Sequence, residues 1–153
     1  MSIKSQDRLS DVLRAVRLRG AVFFYISGNG GWAAEAPPAK DIAPLLMRGV
    51  EHVIEYHAVA QGSCWTGIPD GTSVRLSAGD VVMFPHGDAH VVSSAPGMRG
   101  NPDFGWLSNA RAEQLPLRVA YNGPNVLLSA PLAVSSTRSN ALCACGVFKV
   151  AMP

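Results

Sequence analysis

Gly79-Asp80-Val81-Val82-Met83-Phe84-Pro85-His86-Gly87-Asp88-Ala89-His90 is the stretch on which the fold turns. Gly79-Asp80 makes a turn into a strand, because Gly tolerates positive φ and Asp hydrogen-bonds its own local backbone. Val81 to Phe84 is a short apolar, β-rich run. Pro85-x-Gly87 turns the chain again, and His90 then points inward at the start of the next run. The same rhythm extends outward in both directions. Val53 to Val59, Ser63 to Ile68, Ser73 to Leu76 and Ala89 to Ser93 read as strands, punctuated by Gly62, Pro69-Asp70-Gly71 and Ala78-Gly79-Asp80. Evenly spaced short strands with glycine turns predict an antiparallel sandwich or barrel.

Further upstream, Ala21 to Ser27 reads as a strand, Gly28-Asn29-Gly30-Gly31 as a turn, Trp32 as the start of another short strand, and Pro37 to Pro44 as a loop. Leu9, Val12, Leu13 and Val16 recur at helical spacing, which predicts one N-terminal helix over Asp7–Arg19, ended by Gly20. Its arginines form the opposite, solvated face. Downstream, Pro96 to Pro116 reads as a loop or short helix carrying Phe104 to Leu107. Val126 to Leu128 and Leu142 to Val150 are the last strands, separated by the Ser/Thr-rich Ser135 to Asn140. One domain fills 153 residues, with the barrel over about 21–150.

Composition narrows the function classes. The chain is 48% hydrophobic and 16% charged, enough to build a core and too apolar for disorder. Its net charge of +2 requires neither nucleic acid nor an anionic membrane as partner. No apolar run is long enough to span a bilayer, and Met1 to Gly20 lacks a signal-peptide core, so the expected location is the cytoplasm. Three cysteines, an odd number, point to reduced thiols that serve as core residues or metal ligands.

The Gly79–His90 string reads G-x5-P-x-G-x2-H, and it resembles the second signature motif of the cupins, small β-barrels of the jelly-roll type. Ser94 stands where that pattern continues with Asn. Of the first cupin motif the chain retains Glu55, six residues and Gly62. The motif's paired histidines fall on Arg48 and Val50 or on Gly49 and Glu51, so the family's three-histidine, one-glutamate site is not spelled here. A narrower resemblance is to AraC-type transcription regulators with a cupin-type N-terminal sensor domain. It is carried by Asp7-Arg8-Leu9-Ser10-Asp11-Val12-Leu13, Tyr56-His57 with Gly62-Ser63-Cys64-Trp65, Val74-Arg75-Leu76 with Gly79-Asp80, and Cys145-Gly146-x-Phe148.

That resemblance implies a recurring set of His57, Cys64, His90 and Cys145. Two imidazoles and two thiolates suit tetrahedral Zn²⁺, and a site closed by four protein ligands is structural. Cys143 shares a strand face with Cys145 and is a substitute ligand, while His57 shares the face of Glu55. Glu55, Trp65 and Cys143 are candidates for a ligand pocket. His86 and His52 are weaker candidates, at a rim turn and on the surface. A thiol nucleophile at Cys64 is set aside, because it needs an oriented base that sequence does not show, and so is an acid/base pair among Asp80, Asp88 and Glu55, because Asp80 has a simpler role in the turn before a strand.

The resemblance also implies a function. The expected role is a module that senses a small-molecule effector, dimerises, or both, and is not an enzyme. DNA would be bound only through a helix-turn-helix part that is absent from this chain, which would make the chain an excised domain or a truncated product. The alternative is a small metal-dependent cupin enzyme acting on a small organic molecule. An open coordination position would mark the enzyme, and a reading frame running on into helix-turn-helix patterns would mark the sensor.

Overall fold

The computed structural model describes residues 18–46, 49, 52–102, 117–123, 125–128 and 141–150. The helix read over Asp7–Arg19 lies outside them except for its last two residues, and Leu18 and Arg19 already belong to a strand. Phe104 to Leu107 and Ser135 to Asn140 lie outside them as well.

Eight strands and one helix make up the described fold: β1 (Leu18–Ala36), α1 (Ala39–Leu46), β2 (Val53–Gly67), β3 (Ser73–Ser77), β4 (Val81–Phe84), β5 (His90–Ser93), β6 (Leu117–Gly123), β7 (Asn125–Leu128) and β8 (Ala141–Val150). The strands form one barrel-like sheet. β1 and β2 are long enough to serve both of its halves. Early β1 and early β2 flank β8, and β4 adds to β2. Late β1 and late β2 flank β5, and β3 adds to β2. Pairing is antiparallel throughout except that β1 and β6 run parallel.

Each long strand changes halves at an irregularity. β1 shifts register between Asn29 and Trp32, and β2 between Val59 and Gln61. The Gly28–Gly31 string is therefore not a turn between two strands, and one continuous strand bends there. An extra residue in one strand kinks it and steepens its twist, and Gly30, at φ 68°, adopts a conformation that side chains resist. Val53–Val59 and Ser63–Ile68 are likewise two ends of one strand. The loop read over Pro37–Pro44 contains α1, which begins after two prolines, carries Asp41 in its first turn and tolerates Pro44. Ala39 and Ala43 pack it on Val53 at the start of β2. β6 has no counterpart in the sequence analysis, although Leu117, Val119 and Tyr121 alternate along it as a strand requires.

The strands alternate as a half-buried sheet requires. In β2, Val53, Glu55, His57 and Val59 face inward while Ile54, Tyr56 and Ala58 are only partly covered. The core between the two halves contains Phe24, Trp32, Val59, Leu76, Val92, Val119 and Tyr121. Burial of each valine contributes about 1.5–3 kcal/mol relative to exposure.

Candidate functional site

The motif that decides the fold also builds the site. The Gly79-Asp80 turn is clamped at both ends. Gly79 N–H donates to Val59 O at 2.8 Å, Val59 N–H to Asp80 O at 2.9 Å, and Ser77 N–H to the Asp80 carboxylate at 2.8 Å. Asp80 thus serves the turn, not an acid/base pair. The hairpin is locked to β2 where β2 bends. Gly87, at φ 68°, has a second constraint, because a Cβ there would stand 2.5 Å from the Ala39 Cβ on α1. The two turns hold β4 against early β2, with Glu55 opposite Phe84 and His57 opposite Val82, and deliver His90 into the interior.

Four chemically active side chains meet there. His57 Nδ1 lies 2.7 Å from Cys145 Sγ, its strand neighbour in the β2–β8 register. His57 Nε2 lies 2.7 Å from His90 Nε2. His90 Nδ1 donates to the Asp88 carbonyl at 2.9 Å. Glu55 Oε2 is 3.6 Å from His90 Nε2, and Glu55 Oε1 is buried with no hydrogen-bond partner. Phe84 stacks on the His90 ring at 3.8 Å between centroids and meets His57 edge-on. All four groups are buried.

Burial sets their protonation. It holds His57 well below the ordinary imidazole range, helped by the neighbouring His90. It lowers His90 to about 4, opposed by the Asp88 hydrogen bond. It raises Glu55 to about 7 and keeps Cys145 a thiol. Both imidazoles are therefore neutral at pH 7, the form that ligates metals.

Of the residues expected to share a metal, the structure gathers His57, His90 and Cys145. Cys64 sits beyond the β2 bend, and its sulfur lies 3.8 Å from that of Cys143. Both are buried in the core. They share one hydrogen bond, in which either thiol can donate. As the side chains stand, no three His, Cys, Asp or Glu residues surround a common point among the described residues. Trp65 lies between Cys64 and Thr66 on the opposite face of β2 and is half-buried. Trp32 is fully buried in the core, and its indole N–H has no partner. His86 is exposed, and exposed His52 contacts the Pro85 carbonyl at 2.8 Å.

A second buried carboxylate has no counterpart in the sequence reading. Glu35, at the end of β1, accepts two hydrogen bonds from Arg99, at 2.6 and 2.9 Å, and one from Gly100 N–H at 2.9 Å. Its only sequence signal was a lone charge closing the buried run Trp32-Ala33-Ala34. Arg99 also reaches Asp70 at 2.9 Å.

A cupin family profile matches residues 7–150. The chain belongs to the cupins. It is similar to AlkR, an HTH-type transcriptional regulator of Acinetobacter baylyi, with 28% identity over 88 residues, 58% of this cupin and 25% of AlkR. The cupin thus spans about a quarter of the length of that curated relative. Among solved structures it is similar to the Cupin_2 domain of an XRE family transcriptional regulator from Enterobacter cloacae, at 14% identity and TM-score 0.36, covering 81% of this chain and 75% of that one. A cupin protein from Bacteroides fragilis matches at 14% identity and TM-score 0.36, covering 99% of this chain and 82% of the other. No described helix of this cupin is long and apolar enough to cross a membrane.

Proposed function

We propose that this cupin is the effector-sensing part of an AraC-type transcription regulator, with DNA bound by a helix-turn-helix part outside the chain. The observation that carries this reading is a polar cluster sealed inside an apolar barrel. Glu55, His57 and His90 are buried, and one carboxylate oxygen and the Trp32 N–H have no partner. A few convergent polar groups in an apolar interior are what a small molecule's polar atoms satisfy. The similarity to AlkR supports the regulatory setting. A sensor then needs an effector that binds one conformation more tightly than another.

Thermal melting of the purified chain against a panel of small organic acids, alcohols and hydrocarbons tests this directly. A specific binder at a hundred times its Kd stabilises the fold by about 2.7 kcal/mol. Stabilisation without chemical change is the expected result. Consumption of the same compound, followed by mass spectrometry, supports the enzyme reading instead. That reading is favoured by a carboxyl raised to about 7 beside two neutral imidazoles, a set suited to moving protons. With its net charge of +2 the isolated chain is expected to bind no operator specifically in a gel shift at physiological salt. A homodimer, paired to two-fold operator half-sites, is expected in sedimentation.

A further inference from the structure

We propose that Cys64 and Cys143 are an oxidant-responsive pair that closes into a disulfide across the bend of β2, with Cys145 left out of it. All three cysteines are free thiols in this structure. The pair is separated by 79 positions in the chain, yet closure of the barrel brings the two sulfurs to 3.8 Å. Cys143 lies on β8 and pairs with Val59, the last residue of β2 before its register shift. Cys64 lies on β2 beyond that shift, opposite Leu76 of β3. A bond between the sulfurs would tie β8, in one half of the barrel, to late β2 in the other, and fix the angle at which β2 bends.

Geometry selects this pair. An S–S bond is about 2.05 Å long, so from 3.8 Å each sulfur has about 0.9 Å to move. Rotation about Cα–Cβ carries a sulfur through such a distance, and the irregular backbone of β2 between Val59 and Gln61 takes up what remains. The alternatives are worse placed. Cys143 and Cys145 stand two apart on one face of β8, where extended backbone sets their Cα atoms about 6.6 Å apart, near the upper limit for a disulfide. The contact between them runs from the Cys145 sulfur to the Cys143 carbonyl at 4.0 Å. The Cys145 sulfur is held by His57 Nδ1 at 2.7 Å. The odd cysteine thus has its own partner, and the other two have each other.

The oxidant fits the same surroundings. Both thiols are buried in an apolar core, at 1% and 0% exposure, which admits a small neutral oxidant such as hydrogen peroxide more readily than a charged one. One sulfur attacks a peroxide oxygen, the O–O bond breaks, and a sulfenic acid forms as the first water leaves. The second sulfur then attacks the sulfenic sulfur, the S–O bond breaks, and the S–S bond forms as the second water leaves with that thiol's proton. Two electrons pass from the sulfurs to the peroxide oxygens, so two thiols and one peroxide give one disulfide and two waters. Because the second thiol is already in contact, closure outruns further oxidation of the first. In a reducing compartment such a bond is transient and serves sensing. Disulfide formation and effector sensing are separable, since peptide mapping reads the bond and compound screening reads the sensor role.

Treatment of the purified, reduced chain with hydrogen peroxide, followed by mass spectrometry of the intact chain and of its unreduced peptides, tests the proposal. The parent chain is expected to lose about 2 Da, with the Cys64 and Cys143 peptides joined and Cys145 still open to alkylation after unfolding. Oxidation should raise the melting temperature by at least about 5 °C, because a bond that closes so long a loop constrains the unfolded chain, and dithiothreitol should reverse both changes. Cys64→Ala and Cys143→Ala should lose both responses, and Cys145→Ala should keep them. Near-ultraviolet circular dichroism identifies variants that fold, and where one does not, the peptide map of the parent decides alone. A bond to Cys145 overturns the proposal. So does a treated chain that keeps all three thiols, that takes up oxygen at Cys64 or Cys143 without joining them, or whose melting temperature fails to rise once they are joined.

Discussion

Glu35 and Glu55 are equally hidden, at 4% and 5% exposure, yet they have opposite chemistry. Glu35 sits where the segment Arg99-Gly100 crosses β1, and three donors converge on its carboxylate. Those hydrogen bonds, led by Arg99, hold its carboxyl below the usual range in spite of burial. Glu55 sits inside the barrel beside two neutral imidazoles, with one oxygen unpartnered, and burial alone raises it to about 7. Burial by itself therefore says nothing about a carboxylate's role, which depends on the donors that the fold brings to it. The first glutamate is spent on structure, and the second remains available to a ligand.

The contrast can be broken most sharply at Glu35. Glu35→Ala leaves the Gly100 N–H without its acceptor and frees Arg99, and should destabilise the fold by about 2 kcal/mol in urea unfolding. A smaller effect is expected at the crossing itself. A Cβ on Gly100 would stand 2.8 Å from Glu35 N and 2.9 Å from Ala33 O, both backbone atoms that cannot swing aside. Gly100→Ala should therefore push the segment off β1 and cost about 1–2 kcal/mol. Glu55→Gln should act in the opposite direction. In chelator-treated protein at pH 8 it removes a buried charge, and a gain of about 1 kcal/mol is expected in thermal or urea unfolding. A loss at pH 8 would show that Glu55 is paired. The smallest change belongs to Asp70→Ala, since the Arg99–Asp70 contact lies at the surface, and no measurable shift in melting temperature is expected.

Stability as a function of pH separates the two carboxyls by sign. Glu35 is lowered in the fold, so its contribution is complete above the ordinary value of 4.5 and is lost as pH falls through its folded value. Glu55 is raised, so the folded chain keeps a proton that the unfolded chain releases. Its contribution is complete below about 4.5 and is lost as pH rises to about 7. His57 and His90 are lowered, and their contribution is lost as pH falls below 6.5, through about 4 for His90. Because these windows overlap, the Glu55 slope is read as the difference between the parent and Glu55→Gln at each pH. That difference should widen from pH 5 to pH 7 and stay level above.

Local chemistry made much of this protein legible in one dimension. Pro85, Gly87 and Gly79 mark turns because few residues accept their backbone angles, and alternation assigns faces because a strand repeats every two residues. Glu55 and His90 could be placed inside the barrel for those reasons, and a profile match over residues 7–150 agrees with the cupin resemblance that their spacing carried. Pairing across the sheet was not legible. Cys64 meets Cys143 across 79 positions, and Arg99 meets Glu35 across 64. The glycines at 28–31 could equally turn a chain back or bend it onward. Bending won because β1 has partners on both sides of the irregularity, β6 and β8 before it and β5 after it. The sequence by itself determined where the chain turns and which residues face inward, since those follow from each residue's own backbone and side chain. Only the tertiary structure decided which inward groups touch, because closing the barrel sets those distances through strand pairings that no local stretch encodes.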